Sequence, residues 1–180
     1  MRRIVLLCVT AFCTACSSTH PRSQRVVTAA KPAEQAALLD RIKSLAGTWE
    51  TVGPDGKKMT VDFHVTSNGS AVREVMFPGS GSEMTNMYTM DGPDLLMTHY
   101  CAMGNQPHMK ASAEPSTARG NTIAFKTAGV SNLTAPDQLY MGQMTVIFVD
   151  KDHIRQEWQS IQNGAFQKEM QTNIDLTRRQ

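Results

Sequence analysis

The stretch "KMTVDFHV", Lys58 to Val65, puts Met59, Val61, Phe63 and Val65 at every second position, with Lys58, Thr60, Asp62 and His64 between them. Alternate side chains of an extended chain share a face, so this segment predicts a strand with one apolar and one polar side. An apolar strand face needs a core to lie against, and the sequence on either side supplies more strands. Turn chemistry recurs at short intervals, at Pro54-Asp55-Gly56, Asn68-Gly69, Asp91-Gly92-Pro93, Arg119-Gly120-Asn121, Asp150-Lys151-Asp152 and Asn163-Gly164. The Asn-Gly and Asp-Gly pairs supply the positive φ angles that tight hairpins require.

The segments between these turns predict about ten strands, near 48–52, 57–65, 70–77, 83–90, 95–103, 108–114, 121–127, 139–149, 153–161 and 165–176. Short turns and no crossover helices imply an antiparallel meander. Closing such a sheet on itself removes its edges, so the expected fold is all-β, an up-and-down barrel of about eight to ten strands. A two-sheet sandwich is the alternative. The longest connection, Ala128 to Gln138 with Pro136 inside it, is placed to cover a barrel mouth.

Upstream of the strands lies "PAEQAALLDRIKSLAG". Pro32 suits a first turn, and Leu38, Leu39, Ile42 and Leu45 form an apolar stripe at helical spacing that Gly47 ends. One short N-terminal helix is therefore expected. Before it, residues 17–32 are small, polar and punctuated by proline, which reads as a flexible tether.

The chain opens "MRRIVLLCVTAFCTAC": Arg2 and Arg3, an apolar run from Ile4 to Phe12, then small residues. This is the pattern of a secretory signal, too short to span a bilayer. Its end, Cys-Thr-Ala-Cys, resembles the lipobox of bacterial lipoproteins, with Ala15 at the small position and Cys13 where that family usually has Leu. The resemblance implies a signal peptide over 1–15, lipidation of Cys16, a tether over 16–32 and a domain over 33–180. It also implies a lipid anchor in the bacterial cell envelope, and Ser17 resembles the signal that sorts such proteins to the outer membrane, facing the periplasm.

The whole chain has 18 Lys and Arg against 16 Asp and Glu. Removing Arg2 and Arg3 leaves 16 against 16, and no basic patch points to nucleic acid. Of four cysteines, Cys8 and Cys13 would leave with the signal and Cys16 would carry lipid. Cys101 then remains as a lone thiol, with no partner for an intramolecular disulfide.

"LAGTWE", Leu45 to Glu50, sets Gly-x-Trp between the helix and the first strand. Placed there, it resembles the opening of the calycin superfamily, and in particular the lipocalin-like domains of bacterial lipoproteins. The resemblance covers roughly Leu45 to Leu176. It implies a barrel whose Trp49 packs at the closed end after Gly47, and an interior able to hold a small hydrophobic ligand.

The most unusual chemistry is in "LLMTHYCAMGNQPHM", Leu95 to Met109. On one strand, Leu95, Met97, His99, Cys101 and Met103 would share a face. A loop that folded His108 and Met109 back toward His99 and Cys101 would assemble thioether, imidazole and thiolate donors suited to Cu(I). The competing reading is a methionine-rich barrel lining, since methionine is a flexible filler that this chain uses throughout. The candidate ligand-binding residues are then Met97, His99, Cys101, Met103, Asn86, Tyr88 and Gln143; the candidate metal set is His99, Cys101, His108 and Met109. Haem in nitrobindin-like relatives of this superfamily is held by a histidine near the C-terminus, but no histidine follows His153 here, leaving His99 as the substitute.

No cofactor is indicated by any motif. The sequence contains no G-x-S-x-G elbow, metalloprotease helix or phosphate loop, so no catalytic residue is assigned. Arg73 with Glu74, and Arg155 with Glu157, read as solvated cross-strand charges. Three functions are left: a carrier of a small hydrophobic ligand, a soft-metal or haem lipoprotein, and a structural envelope protein with a filled barrel.

Overall fold

The computed structural model describes residues 26–113 and 120–180. The expected signal peptide, Cys16 and the first part of the tether lie outside those residues. The chain forms a closed antiparallel barrel. Its strands are β1 (Gly47–Val52), β2 (Lys58–Thr66), β3 (Ala71–Met76), β4 (Met84–Asp91), β5 (Asp94–Tyr100), β6 (Gln106–Ser112), β7 (Thr122–Ser131), β8 (Tyr140–Phe148), β9 (His153–Gln162), β10 (Ala165–Phe166) and β11 (Thr172–Arg178). Neighbours in sequence pair from β1 through β9; β9 then pairs with β11, and β11 with β1.

Ten strands close the ring, and the two-residue β10 only extends a hairpin from the end of β9. The segment expected as one strand over 165–176 is thus divided, with a short 3-10 turn at Lys168–Met170 between its parts. The hairpin leading into it is set by Asn163 and Gly164, at φ 52° and 72°, the left-handed pair that a tight turn demands.

The N-terminal helix is broken in two, α1 (Pro32–Ala37) and α2 (Leu39–Lys43), because Leu38 leaves helical geometry at φ −123°, ψ −82°. With the break, Leu38, Leu39, Ile42 and Leu45 are all buried. They pack into the end of the barrel where the β2–β3, β4–β5 and β8–β9 turns lie and where β7 begins, and Arg41 donates to the Thr122 carbonyl while stacking on Phe148.

Trp49 is fully buried at that plugged end, where its indole N–H donates to the Leu45 carbonyl at 2.8 Å. The Arg178 guanidinium lies over its ring at 4.3 Å and donates to the carbonyls of Ala46 and Ser44. The last strand therefore latches the plug to the first. Above this layer Phe63, Tyr88, Phe125, Met97, Met109 and Met144 fill the barrel.

The 132–139 connection reaches the end of β9, where Gln162 Nε2 donates to the Asp137 carbonyl. It is pinned to the β5–β6 turn, with Asn105 Nδ2 donating to the Leu139 carbonyl and Gln138 Nε2 to the Met103 carbonyl.

Candidate functional site

At the end opposite the plug the barrel is hollow. A cavity of about 410 Å³ opens between the β1–β2, β3–β4 and β10–β11 connections, a size typical of small-molecule sites. Four thioethers line it, from Met59, Met76, Met84 and Met141, together with Phe77, Ile174 and the Trp158 ring. No Lys, Arg, Asp or Glu contributes to its wall.

Thr51, Thr172 and Asn173 add neutral polar groups to the wall, and one further polar residue, His99, comes from the end of β5. It is 1 % exposed, and its ring lies 4.9 Å from that of Trp158. Its Nδ1 meets Asn86 Oδ1 at 2.7 Å. Asn86 in turn donates through Nδ2 to Glu74 Oε2 at 2.7 Å, where Tyr88 O–H also donates, at 2.5 Å. Gln156 Nε2 donates to the other carboxylate oxygen at 2.7 Å, and Trp158 Nε1–H donates to Gln156 Oε1 at 3.3 Å.

Register explains how these groups meet. Glu74 pairs with Asn86 across β3 and β4, and Asn86 with His99 across β4 and β5, so all three side chains leave the same face of neighbouring strands. Gln156 and Trp158 reach them from β9, across the barrel.

The network fixes the protonation of the ring. Trp158 occupies Gln156 Oε1, so the amide nitrogen of Gln156 faces Glu74, and the Tyr88 hydroxyl has Glu74 as its acceptor. With three donors turned toward it, Glu74 acts as the acceptor at the centre of the group. Asn86 then gives its N–H to Glu74 and its oxygen to His99, which makes His99 Nδ1 the protonated nitrogen. Burial pushes the His99 pKa down to about 4, so the ring is neutral at pH 7 and Nε2 carries a bare lone pair. That Nε2 is buried without a hydrogen-bond partner. Burial likewise raises the Glu74 pKa, against the opposing pull of its three donors.

Several sequence expectations change. Glu74 is not a solvated charge: it is fully buried in the barrel interior, while its neighbour Arg73 is exposed. Of the expected ligand-binding residues, His99 lines the cavity, and Asn86 and Tyr88 sit behind it in the network. Met97 lies deeper, in the filled core. β5 ends at Tyr100, so Cys101 and Met103 belong to the following turn, and Met103 is exposed. Gln143 pairs with Lys126 and Gln159, on the opposite face from Phe125, Met144 and Trp158.

The metal set is not brought together. His108 is paired with Thr98 on the outer face, its ring between the hydroxyls of Thr98 and Ser131, whereas His99 and Met109 point inward and Cys101 lies beyond the strand. Among the described residues no three His, Cys, Asp or Glu side chains cluster as a metal site. Glu74, Gln156, Trp158 and the cavity methionines were not among the expected site residues.

Comparison of the chain with models of known protein families gives no match, and comparison with curated proteins gives none either.

Proposed function

We propose that this protein is a lipid-anchored envelope barrel that binds a small hydrophobic ligand in its open half. The observation that carries the reading is the unpartnered Nε2 of His99, buried beside a largely apolar cavity that holds no charged side chain. A buried polar atom without a partner costs about 1–3 kcal/mol. Nε2 has almost no accessible surface in this geometry, so a guest that shifted the wall side chains covering it and supplied a partner would recover that cost while burying its own apolar surface against four methionines, whose flexible thioethers adapt to irregular shapes. The anchor is the N-terminal lipid that the lipobox-like Cys16 would carry, holding the domain at a bacterial membrane, with the outer membrane facing the periplasm as the proposed location.

The test is purification of the Cys16→Ser protein from a bacterial periplasm, followed by native mass spectrometry and titration with the neutral dye N-phenyl-1-naphthylamine. Saturable dye binding that is lost when Met84→Trp fills the cavity supports the carrier, as does a co-purified organic mass. Absence of both refutes it. For the unsubstituted protein, a diacylated N-terminus at Cys16 is the expected mass.

One observation favours a second reading. A histidine that donates Nδ1–H to a supported oxygen and leaves Nε2 free has the arrangement of a metal-ligating imidazole, and thioethers share its cavity. Copper or a haem absorption band that disappears with His99→Phe would move the assignment there.

A further inference from the structure

We infer that the ligand of this cavity is a neutral molecule whose polar end donates a hydrogen bond, an alcohol or phenol, rather than an anion such as a fatty acid or a cation such as an amine. The inference rests on the cavity reading above and specifies the chemistry of the guest.

An anionic headgroup would shed its water in a space with no cation to replace it: no Lys or Arg lines the cavity, and none is buried among the described residues. It would also bring negative charge toward Nε2, itself an acceptor, and toward the Glu74 carboxyl behind Asn86. A carboxylate would therefore meet no donor from His99, and the neutral side chains of Thr51, Thr172 and Asn173 carry no charge to offset its own.

A cationic headgroup fares no better. Glu74 is the one carboxyl in the interior among the described residues, and it is walled off. Asn86, Tyr88 and Gln156 already donate to its oxygens, and Asn86 stands between it and His99. An ammonium at His99 would lose its hydration without reaching an ion-pair partner. A hydroxyl carries no net charge to desolvate and supplies the single proton that Nε2 lacks.

The tautomer is held from behind. For Nε2 to carry the proton instead, Asn86 would have to reverse its amide and turn its oxygen onto the Glu74 carboxylate. The geometry thus selects for a donor through two residues, Asn86 and Glu74, that do not line the cavity.

The experiment is competition against bound N-phenyl-1-naphthylamine near pH 7.5 by decan-1-ol, its methyl ether, decanoate and decylamine. The ether keeps the chain and the oxygen and removes only the proton. The expected result is that decan-1-ol binds about tenfold more tightly than the ether, with decanoate and decylamine weaker than the alcohol. In His99→Phe the alcohol should lose its advantage while the ether still competes. Equal affinity of alcohol and ether in the native protein, or tighter binding of either charged ligand, overturns the inference and leaves the apolar cavity standing. Failure of all four to displace the dye, or of the dye to bind, removes the cavity reading and this inference with it. The alcohol-to-ether comparison is made on the native protein, so it holds whether or not the variant folds.

Discussion

The burial of His99 makes a specific prediction about how stability depends on pH. Desolvation holds the folded pKa at about 4, below the ordinary 6.5. Below pH 6.5 the unfolded chain therefore takes up a proton that the folded chain refuses. The stability that depends on a neutral His99 is complete above pH 6.5, drains as the pH falls, and is gone once the folded ring protonates near pH 4. At about 1.36 kcal/mol per pH unit the gap sets a ceiling of about 3.4 kcal/mol. Between about pH 7 and about pH 4.5, where the folded ring is already partly protonated, the expected loss is about 2.5 kcal/mol.

Glu74 acts in the opposite sense, because its raised pKa means that the folded form binds its proton first and gains stability as the pH falls through that value. The histidine contribution must therefore be isolated by difference. Urea unfolding of the native protein and of His99→Phe at the two pH values supplies it. The native protein should lose about 2.5 kcal/mol more than the variant on acidification. Equal losses in the two proteins would refute the claim that the imidazole is buried and neutral, and would weaken the tautomer argument that rests on it.

Other consequences follow from particular contacts. Tyr88→Phe removes one of three donors from a buried carboxyl and should cost about 1.5–3 kcal/mol near neutral pH; because the lost donor raises the Glu74 pKa further, the penalty should shrink in acid, as urea titrations at both pH values would report. Gly142→Ala should destabilise by about 1–3 kcal/mol, since an added Cβ would lie 2.2 Å from the Ile161 Cδ1, and Ile161→Ala in the same chain should restore part of the loss in a thermal melt. Arg178→Ala removes the cation over Trp49 and its bonds to the Ala46 and Ser44 carbonyls, so a loss of about 2 kcal/mol is expected, with faster hydrogen exchange at Leu45–Trp49 showing that the plug has loosened.

The barrel was legible because hydrophobic alternation and turn chemistry are local signals. In β2, Val61 and Phe63 are buried as alternation requires, and the Asn68-Gly69 and Asn163-Gly164 hairpins occur where those dipeptides stand. The β5 face was read two residues too far. Nothing in "YCAMGN" marks the end of the strand, but Gly104 adopts φ 82° and its N–H bonds back to the Cys101 carbonyl, which takes Cys101 and Met103 off the wall. The break at Leu38 was hidden because Leu38, Leu39, Ile42 and Leu45 keep helical spacing whether or not the helix is continuous.

Glu74 shows a different limit. Its parity was readable: in "AVREVM", Val72 and Met76 flank it at two-residue spacing, so a strand that buries them must bury Glu74 as well. What the sequence withholds is the set of donors that makes such burial tolerable, because Asn86, Tyr88 and Gln156 are distant in sequence and meet only when the barrel closes. Charge favoured a solvated position, and periodicity opposed it. Periodicity prevailed because the interior supplies three hydrogen bonds.

That network also bears on whether the polar interior is only scaffolding. A buried polar cluster that serves the fold alone is expected to be closed, with each donor matched to an acceptor, because an unmatched atom in low dielectric is a net cost. The carboxyl oxygens of Glu74, both ends of the Asn86 amide, the Tyr88 hydroxyl and the Trp158 N–H are matched here. The open position is Nε2 of His99, and His99 is the member of that set that shares the cavity wall with Trp158. A phenylalanine at 99 would fill the space without that cost. A histidine whose tautomer is fixed by two residues behind it, with its free lone pair beside a methionine-lined space, is an arrangement that a guest can complete. The filled half of the barrel accounts for stability, while the hollow half carries an unmet hydrogen bond that stability alone does not require.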